Sequence, residues 1–220
     1  MIFYQTWAPK LEMLSQTVRE EAVEKGGMYL PLEHMGDKLP QAVISAEDRT
    51  FYSNPGIDPK AMVRALFINL WNRAFVQGAS TLTQQLMRDV FLSQDKDLWR
   101  KAEEILLALW VTRLYSKDEI LEMYLNRVYF GHGAWGAPQA ARIYFGKEVN
   151  QLSWGQAALL AGLLPAPSAY DPFCNLEAAR VRQRYVLNRL RDDGVLSAEE
   201  AEMAAQSPLY LLPGMCQGKR

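Results

Sequence analysis

The run Gln77-Gly78-Ala79-Ser80-Thr81-Leu82-Thr83-Gln84-Gln85 crowds uncharged hydrogen-bonding side chains behind a turn of small residues. Ser80 is placed to cap a helix, and Thr81, Gln84 and Gln85 then fall within its first two turns. Such a helix start suits sugar hydroxyls or phosphate oxygens, because its backbone N–H groups already point outward. Taken alone, it also fits an ordinary capped helix. Two acidic centres flank it: Glu47-Asp48 upstream, and Glu104 downstream with Arg100 and Lys101 at i−4 and i−3. Those three share one helix face, which fits either a surface ion-pair cluster or a basic shelf for phosphate. Arg88, about one turn beyond Gln84 and Gln85, extends such a shelf. Glu47 lies among the apolar positions Val43, Ala46 and Phe51, at the boundary of core and solvent. Partial desolvation would raise its pKa and suit it to general base or acid work. The same residue also fits a surface pair with Arg49.

These residues belong to a chain of 220 residues with net charge −1, of which 49% are hydrophobic. That length supports one domain with a good core, or two small lobes sharing one. The balance of charge argues against disorder and against nucleic acid as a partner. Cys174 and Cys216 lack CxxC spacing, so they indicate neither a zinc site nor a redox pair, and the redox compartment stays open. His34 and His132 are far apart in sequence, which argues against a histidine metal cluster or a Ser-His-Asp triad. Mg²⁺ or Mn²⁺ bound by carboxylate stays open. The longest uncharged stretch, about 149–170, is broken by Asn150, Gln151, Gln156, Pro165 and Pro167, so no transmembrane helix is expected. The apolar start, residues 1–8, is too short for a signal-peptide core. As written, the chain is expected to show neither an export signal nor an anchor.

The elements that must position the chemistry read as helices throughout. Leu11, Leu14, Val18 and Ala22 recur at helical spacing until Gly26-Gly27. Pro40 opens a second helix through Glu47, ending before Asn54-Pro55-Gly56. Pro59 starts an apolar helix to about Phe75, a fourth runs from Ser80 to Leu92, and a fifth from about Asp95 to Tyr115. Capping boxes mark later starts at Ser116-x-x-Glu119, Ser153-x-x-Gln156 and Ser197-x-x-Glu200. Pro138 sits near the first turn of a short helix ending around Phe145. Asn175 caps a long basic helix that Gly194 closes. No alternating strand run is evident, so the expected fold is all-α or nearly so, without a clear linker.

In combination, Glu47-Asp48 with Phe51 and Gly56, Gly78 to Gln85, and Arg100-Lys101-x-x-Glu104 resemble the peptidoglycan glycosyltransferase family (glycosyltransferase family 51). That domain occurs in class A penicillin-binding proteins and in monofunctional transglycosylases. The resemblance continues through Ser116 to Asn126, Val128 to Gly136, Gln139-Ala140-Ala141, Tyr144 to Lys147 and Ala157 to Pro165, and covers roughly 29–189. It implies a lysozyme-like helical fold with a head lobe and a smaller jaw lobe at the membrane. The expected division is an N-terminal helical extension (1–28), a glycosyltransferase domain (29–205) and a C-terminal tail (206–220).

The resemblance implies polymerisation of lipid II into β-1,4-linked glycan strands, with inversion and release of undecaprenyl pyrophosphate. Glu47 would be the general base for the acceptor's sugar 4-hydroxyl. Glu104 would be the second catalytic carboxylate, orienting the donor or a divalent ion at its pyrophosphate. Ser80, Thr81, Gln84, Gln85, Arg88, Arg100 and Lys101 would bind the donor, with Asp48 and Asn54 also in the substrate site. One base and a positive cradle suffice, because pyrophosphate leaves without a strong general acid. No cofactor is required by the sequence, although Mg²⁺ or Mn²⁺ is compatible. The implied partners are lipid II, the nascent strand, the membrane surface and other cell-wall synthesis proteins, with no nucleic acid. The implied location is the outer face of the cytoplasmic membrane, and moenomycin is the family's characteristic inhibitor.

Two positions depart from the family pattern, which usually has His where Asn54 stands and Lys where Arg88 stands. Arg88 keeps the charge but binds as a planar fork, and Asn54 keeps hydrogen bonding but carries no charge. The segment 61–76 is apolar around most of its circumference and fits a buried core helix. With the resemblance, Phe67, Trp71 and Phe75 instead fit a jaw helix at the bilayer interface. Ser93-Gln94-Asp95-Lys96 matches SxxK, but no KTG follows, so it reads as chance. Two other functions compete: a lysozyme-like lytic transglycosylase, which needs no pyrophosphate cradle, and a degenerate domain that binds lipid II or a cell-wall partner without turnover.

Overall fold

A computed structural model describes residues 2–72, 80–92, 97–214 and 216, and these are predominantly helical. At its centre lies α9 (Trp154–Leu163), in which every residue from Gly155 to Leu163 is buried. This explains the uncharged stretch in the sequence: a helix apolar on all sides is one that neighbours enclose. Those neighbours are α3 (Lys38–Glu47), α10 (Leu176–Asp192) and α11 (Ala198–Gln206). Glycines let them come close. A Cβ on Gly155 would lie 2.6 Å from the Ala204 carbonyl oxygen, and one on Gly162 would lie 3.1 Å from Arg182 Cβ. Because α3 packs on this centre through Leu39, Ala42 and Val43, the position of its last residue, Glu47, is fixed by the core.

The second group of helices is α5 (Leu82–Phe91), α6 (Leu98–Leu114) and α7 (Lys117–Arg127), with α5 packed against both others. α5 turns Leu82, Leu86 and Met87 inward, and α6 turns Leu107, Ala108 and Val111. The expected N-terminal helix is two helices, α1 (Ile2–Glu12) and α2 (Leu14–Glu24), interrupted at Met13. Its predicted apolar face is nonetheless the buried one, and α2 lies on α7. α4 (Pro59–Asn72) follows the turn around Gly56.

Several boundaries differ from expectation. α3 begins at Lys38, so Pro40 lies inside its first turn, where a missing N–H leaves no bond broken. The cap of α5 is Thr81, not Ser80: Thr81 and Gln84 exchange the two bonds of a capping box. α6 begins at Leu98 behind an Asp97 cap. The three predicted capping boxes and the Asn175 cap are all present. A small antiparallel hairpin, β1 (Tyr129–Gly131) with β2 (Ala134–Trp135), precedes α8 (Ala137–Phe145). Its strands are too short to show alternation, and positive φ at Gly131, His132 and Gly133 makes the tight reversal between them. The predicted features at 73–79 and 93–96, including Phe75 and the SxxK match, lie outside the described residues.

The structure adds what the sequence left open about the cysteines. Cys174 and Cys216 form a disulfide across 42 residues of sequence. It ties the segment after α11 back to the loop before α10. Along the way Gln156 Nε2 donates to Leu209 O (2.8 Å), and Leu212 N donates to Tyr144 O (2.9 Å). Closing a loop of that length removes entropy from the unfolded chain worth about 4 kcal/mol. Thermal denaturation with and without reductant should therefore show a lower midpoint for the reduced protein, and Cys216→Ser should match it. Equal midpoints would mean that hydrogen bonds alone hold the tail.

Candidate active site

The N-terminus of α5 organises the site. Thr81 Oγ1 accepts from Gln84 N (3.1 Å) and donates to Gly56 O (2.6 Å), while Gln84 Oε1 accepts from Thr81 N (3.1 Å). The cap thus closes the helix end and ties it to the turn after α3. With its carbonyl used in the cap, Gln84 turns its amide N–H outward to Glu104 Oε1 (3.2 Å). The next residue, Gln85, donates from Nε2 to Glu47 Oε2 (2.9 Å). Successive residues of a helix point about 100° apart. One helical turn therefore sends one amide to the carboxylate on α6 and another to the carboxylate on α3.

The two carboxylates have opposite environments. Glu104 is 1% exposed and accepts from Arg100 Nη1 (2.9 Å), Lys101 Nζ and Gln84. Lys101 Nζ also donates to Ser80 Oγ (2.8 Å). These are not the bonds of a surface ion-pair cluster. A buried carboxylate compensated by two cations and an amide holds those cations in place, and Glu104 is filled from inside the protein. A divalent ion bound directly to Glu104 does not fit this donor set. Among the described residues no group of three or more His, Cys, Asp or Glu side chains is arranged to hold a metal.

Glu47 is half-buried at the end of α3. Burial pushes its carboxyl pKa above the usual range, opposed by the Gln85 N–H and by the charges of Arg182 and Arg88. Arg49, the alternative partner, instead pairs with Asp193 and donates to Asp192 O. Glu47 is thus a carboxylate beside a neutral donor, with no ion-pair partner within contact distance among the described residues. That is the condition of a group able to take up a proton.

Asp48 and Asn54, expected at the substrate site, are turned inward. Asn54 Nδ2 donates to Asp48 Oδ1 (2.9 Å), and Asn54 Oδ1 accepts from Gly56 N (2.9 Å) and Lys117 Nζ (3.0 Å). Asp48 Oδ2 accepts from Leu82 N (3.2 Å) at the start of α5. Burial raises the Asp48 pKa against these bonds. Together they lock the turn against α5, and Lys117 supplies the cation that Asn54 lacks. Desolvation in turn lowers the Lys117 pKa. Gly56 is the tight point: its φ is +103°, and a Cβ there would lie 2.3 Å from Ala108 O on α6.

Three residues near the site were given no role in the sequence analysis. Lys117 and Tyr124 lie within the Ser116 to Asn126 stretch that carries the resemblance. The Tyr124 hydroxyl donates to Gln85 Oε1 (3.0 Å). Arg182 was one arginine among several on α10. Its guanidinium lies over the Tyr185 ring (4.6 Å) and near Gly162 O, and its charge reaches Glu47. Arg88 donates from Nε to Asp89 Oδ1 (3.0 Å) and is part-exposed on the Glu47 side. On α4, Phe67 is 70% and Trp71 90% exposed, while Ala65 is buried. Leu98 and Trp99 at the start of α6 are also exposed. Among the described residues no helix is long and apolar enough to cross a membrane.

The start of α5 thus stands between Glu47 on α3 and the Glu104, Arg100 and Lys101 cluster on α6. The family model described as Transglycosylase matches residues 13–191, and the chain belongs to that family. A putative transglycosylase of Cupriavidus necator is 44% identical over 83% of this chain and 79% of its own length. Penicillin-binding protein 1A of Aquifex aeolicus is 46% identical over 79% of this chain, and that of Vibrio cholerae 44% over 84%. The chain spans only about a quarter of these last two, 24% and 22%.

Removing Glu104 should strip the cations of their anchor. Glu104→Ala is expected to cost about 3 kcal/mol in urea denaturation, because it leaves buried charge uncompensated, and to lose activity with stability.

Proposed function

We propose that this domain is a peptidoglycan glycosyltransferase that joins lipid-linked disaccharide units with inversion at the anomeric carbon. The supporting observation is the division of labour between the carboxylates: Glu47 is open to a proton, and Glu104 is saturated by the cations it positions. Glu47 takes the proton of the acceptor's sugar 4-hydroxyl as that oxygen attacks the donor's anomeric carbon. The bond to pyrophosphate breaks from the opposite face, and its electron pair leaves on a phosphate oxygen. Arg100 and Lys101 stabilise the charge that develops there, with Ser80 in the same hydrogen-bonded group. The proton on Glu47 then passes to solvent.

The substrate in this reading is lipid II, and the site of action is the outer face of the cytoplasmic membrane. The exposed Phe67 and Trp71 fit an interfacial surface on α4. The disulfide fits an oxidising compartment.

Polymerisation of lipid II, with products resolved on gels, tests the activity. Glu47→Gln should lower the rate by about 10²- to 10⁴-fold, the usual contribution of a general base. The wild-type rate should fall as pH drops through the raised Glu47 pKa. The stability sign is opposite. Because burial raises the folded-state pKa, Glu47's contribution is fully present below the unfolded pKa and is lost as pH rises through the folded one. Glu47→Gln should therefore melt at a higher temperature than wild type at neutral pH. A well-folded wild type that binds lipid II but makes no polymer would overturn the reading.

The double variant Phe67→Glu, Trp71→Glu should lose co-sedimentation with liposomes while keeping its circular dichroism spectrum. Unchanged co-sedimentation would remove α4 from the membrane surface.

A further inference from the structure

The Gln85 amide has two ends, and only one of them suits a general base. With N–H toward Glu47 it stabilises the ionised carboxylate. Turned over, it would set a carbonyl oxygen against that carboxylate and favour the protonated acid. Nothing in Gln85 itself selects between the two. The choice is made from behind, where Tyr124 on α7 places its hydroxyl 3.0 Å from Gln85 Oε1.

We propose that Tyr124 is a positioning residue for the transfer reaction, its hydroxyl fixing the Gln85 amide so that N–H rather than C=O faces Glu47. This rests on the function proposed above and adds a component to that same site.

Three observations carry it. Tyr124 is fully buried, and Gln85 Oε1 is the only acceptor its hydroxyl reaches among the described residues. A buried donor with one acceptor is costly to disappoint, so the amide orientation that satisfies it is held. The phenol also stays a donor: burial, reinforced by the charges of Glu47 and Asp89, pushes its pKa well up. The chain Tyr124 Oη–H to Gln85 Oε1, then Gln85 Nε2–H to Glu47 Oε2, therefore runs in one direction only. The other charges facing Glu47 are Asp48 on its own helix, Arg88 on α5 and Arg182 on α10. None of them is bonded to the Gln85 amide, so none sets its orientation.

The test reads Glu47 directly, apart from turnover. Protein labelled with ¹³C at glutamate carboxyls is titrated by NMR, with the Glu47 signal assigned through Glu47→Gln. Tyr124→Phe deletes one oxygen and keeps the ring. Its Glu47 midpoint should move up by about one pH unit, the usual scale for losing a hydrogen bond to a charged group. The acid limb of the polymerisation profile should move with it, kcat falling about tenfold below the midpoint and KM for lipid II holding. Gln85→Met should shift the midpoint in the same direction, and adding Tyr124→Phe to it should shift it no further. A Tyr124→Phe midpoint equal to wild type, or an extra shift in the double variant, would overturn the proposal. The two readings separate cleanly. A shifted midpoint in a protein that makes no polymer would sink the function and leave the relay standing. Polymer with an unshifted midpoint would do the reverse.

Discussion

The site depends on a single turn of α5 in which the side chains of Thr81, Gln84 and Gln85 are all committed. Thr81 closes the helix end and grips the Gly56 carbonyl, Gln84 completes the cap and reaches Glu104, and Gln85 reaches Glu47. A glutamine in a capping box spends its carbonyl on the cap, which leaves its amino group to face outward. The local rule that starts the helix thereby dictates which end of Gln84 meets Glu104. Stability and function share atoms here, so losing the cap would disorder the helix start and release one of the two carboxylates at once.

From this constraint follows the contrast between the acidic residues. A carboxylate deep in α6 is tolerable only with cations beside it, and Arg100 and Lys101 sit one turn back on the same helix. A carboxylate at the last residue of α3 has a free side and meets a neutral amide instead. The protein thus surrounds one acid with cations and leaves the other beside a neutral amide, without placing them in different kinds of secondary structure. Environment alone separates their roles.

Much of this was legible in the sequence, and for stated reasons. Capping boxes are local, so Ser116, Ser153 and Ser197 marked their helices correctly, and the i−4, i−3 spacing put Arg100 and Lys101 on the face of Glu104. Whether that face was buried was not legible, because it depends on α5 lying across it. The family resemblance put Asp48 and Asn54 in the substrate site; their inward turn follows from the Gly56 reversal and from Lys117, which is 63 residues from Asn54. The contacts of Tyr124 and Arg182 were not legible for the same reason, although Tyr124 lies in a stretch that carries the resemblance, since each meets the site across a helix interface. The Cys174–Cys216 bond joins points that only the packing of the tail on α8 and α9 brings together.

The turn at Gly56 has a consequence for stiffness. Its nitrogen is bound by Asn54, its carbonyl by Thr81, and its α-carbon lies so close to the Ala108 carbonyl that no side chain fits between them. Backbone contact has none of the rotameric slack of a side-chain contact, so the turn and α6 move together as one body. The separation between the end of α3 and the cationic shelf is then a gauge length of the fold. In the proposed reaction, a sugar and its departing phosphate would meet a fixed span, with little reorganisation left to occur when the bond changes hands.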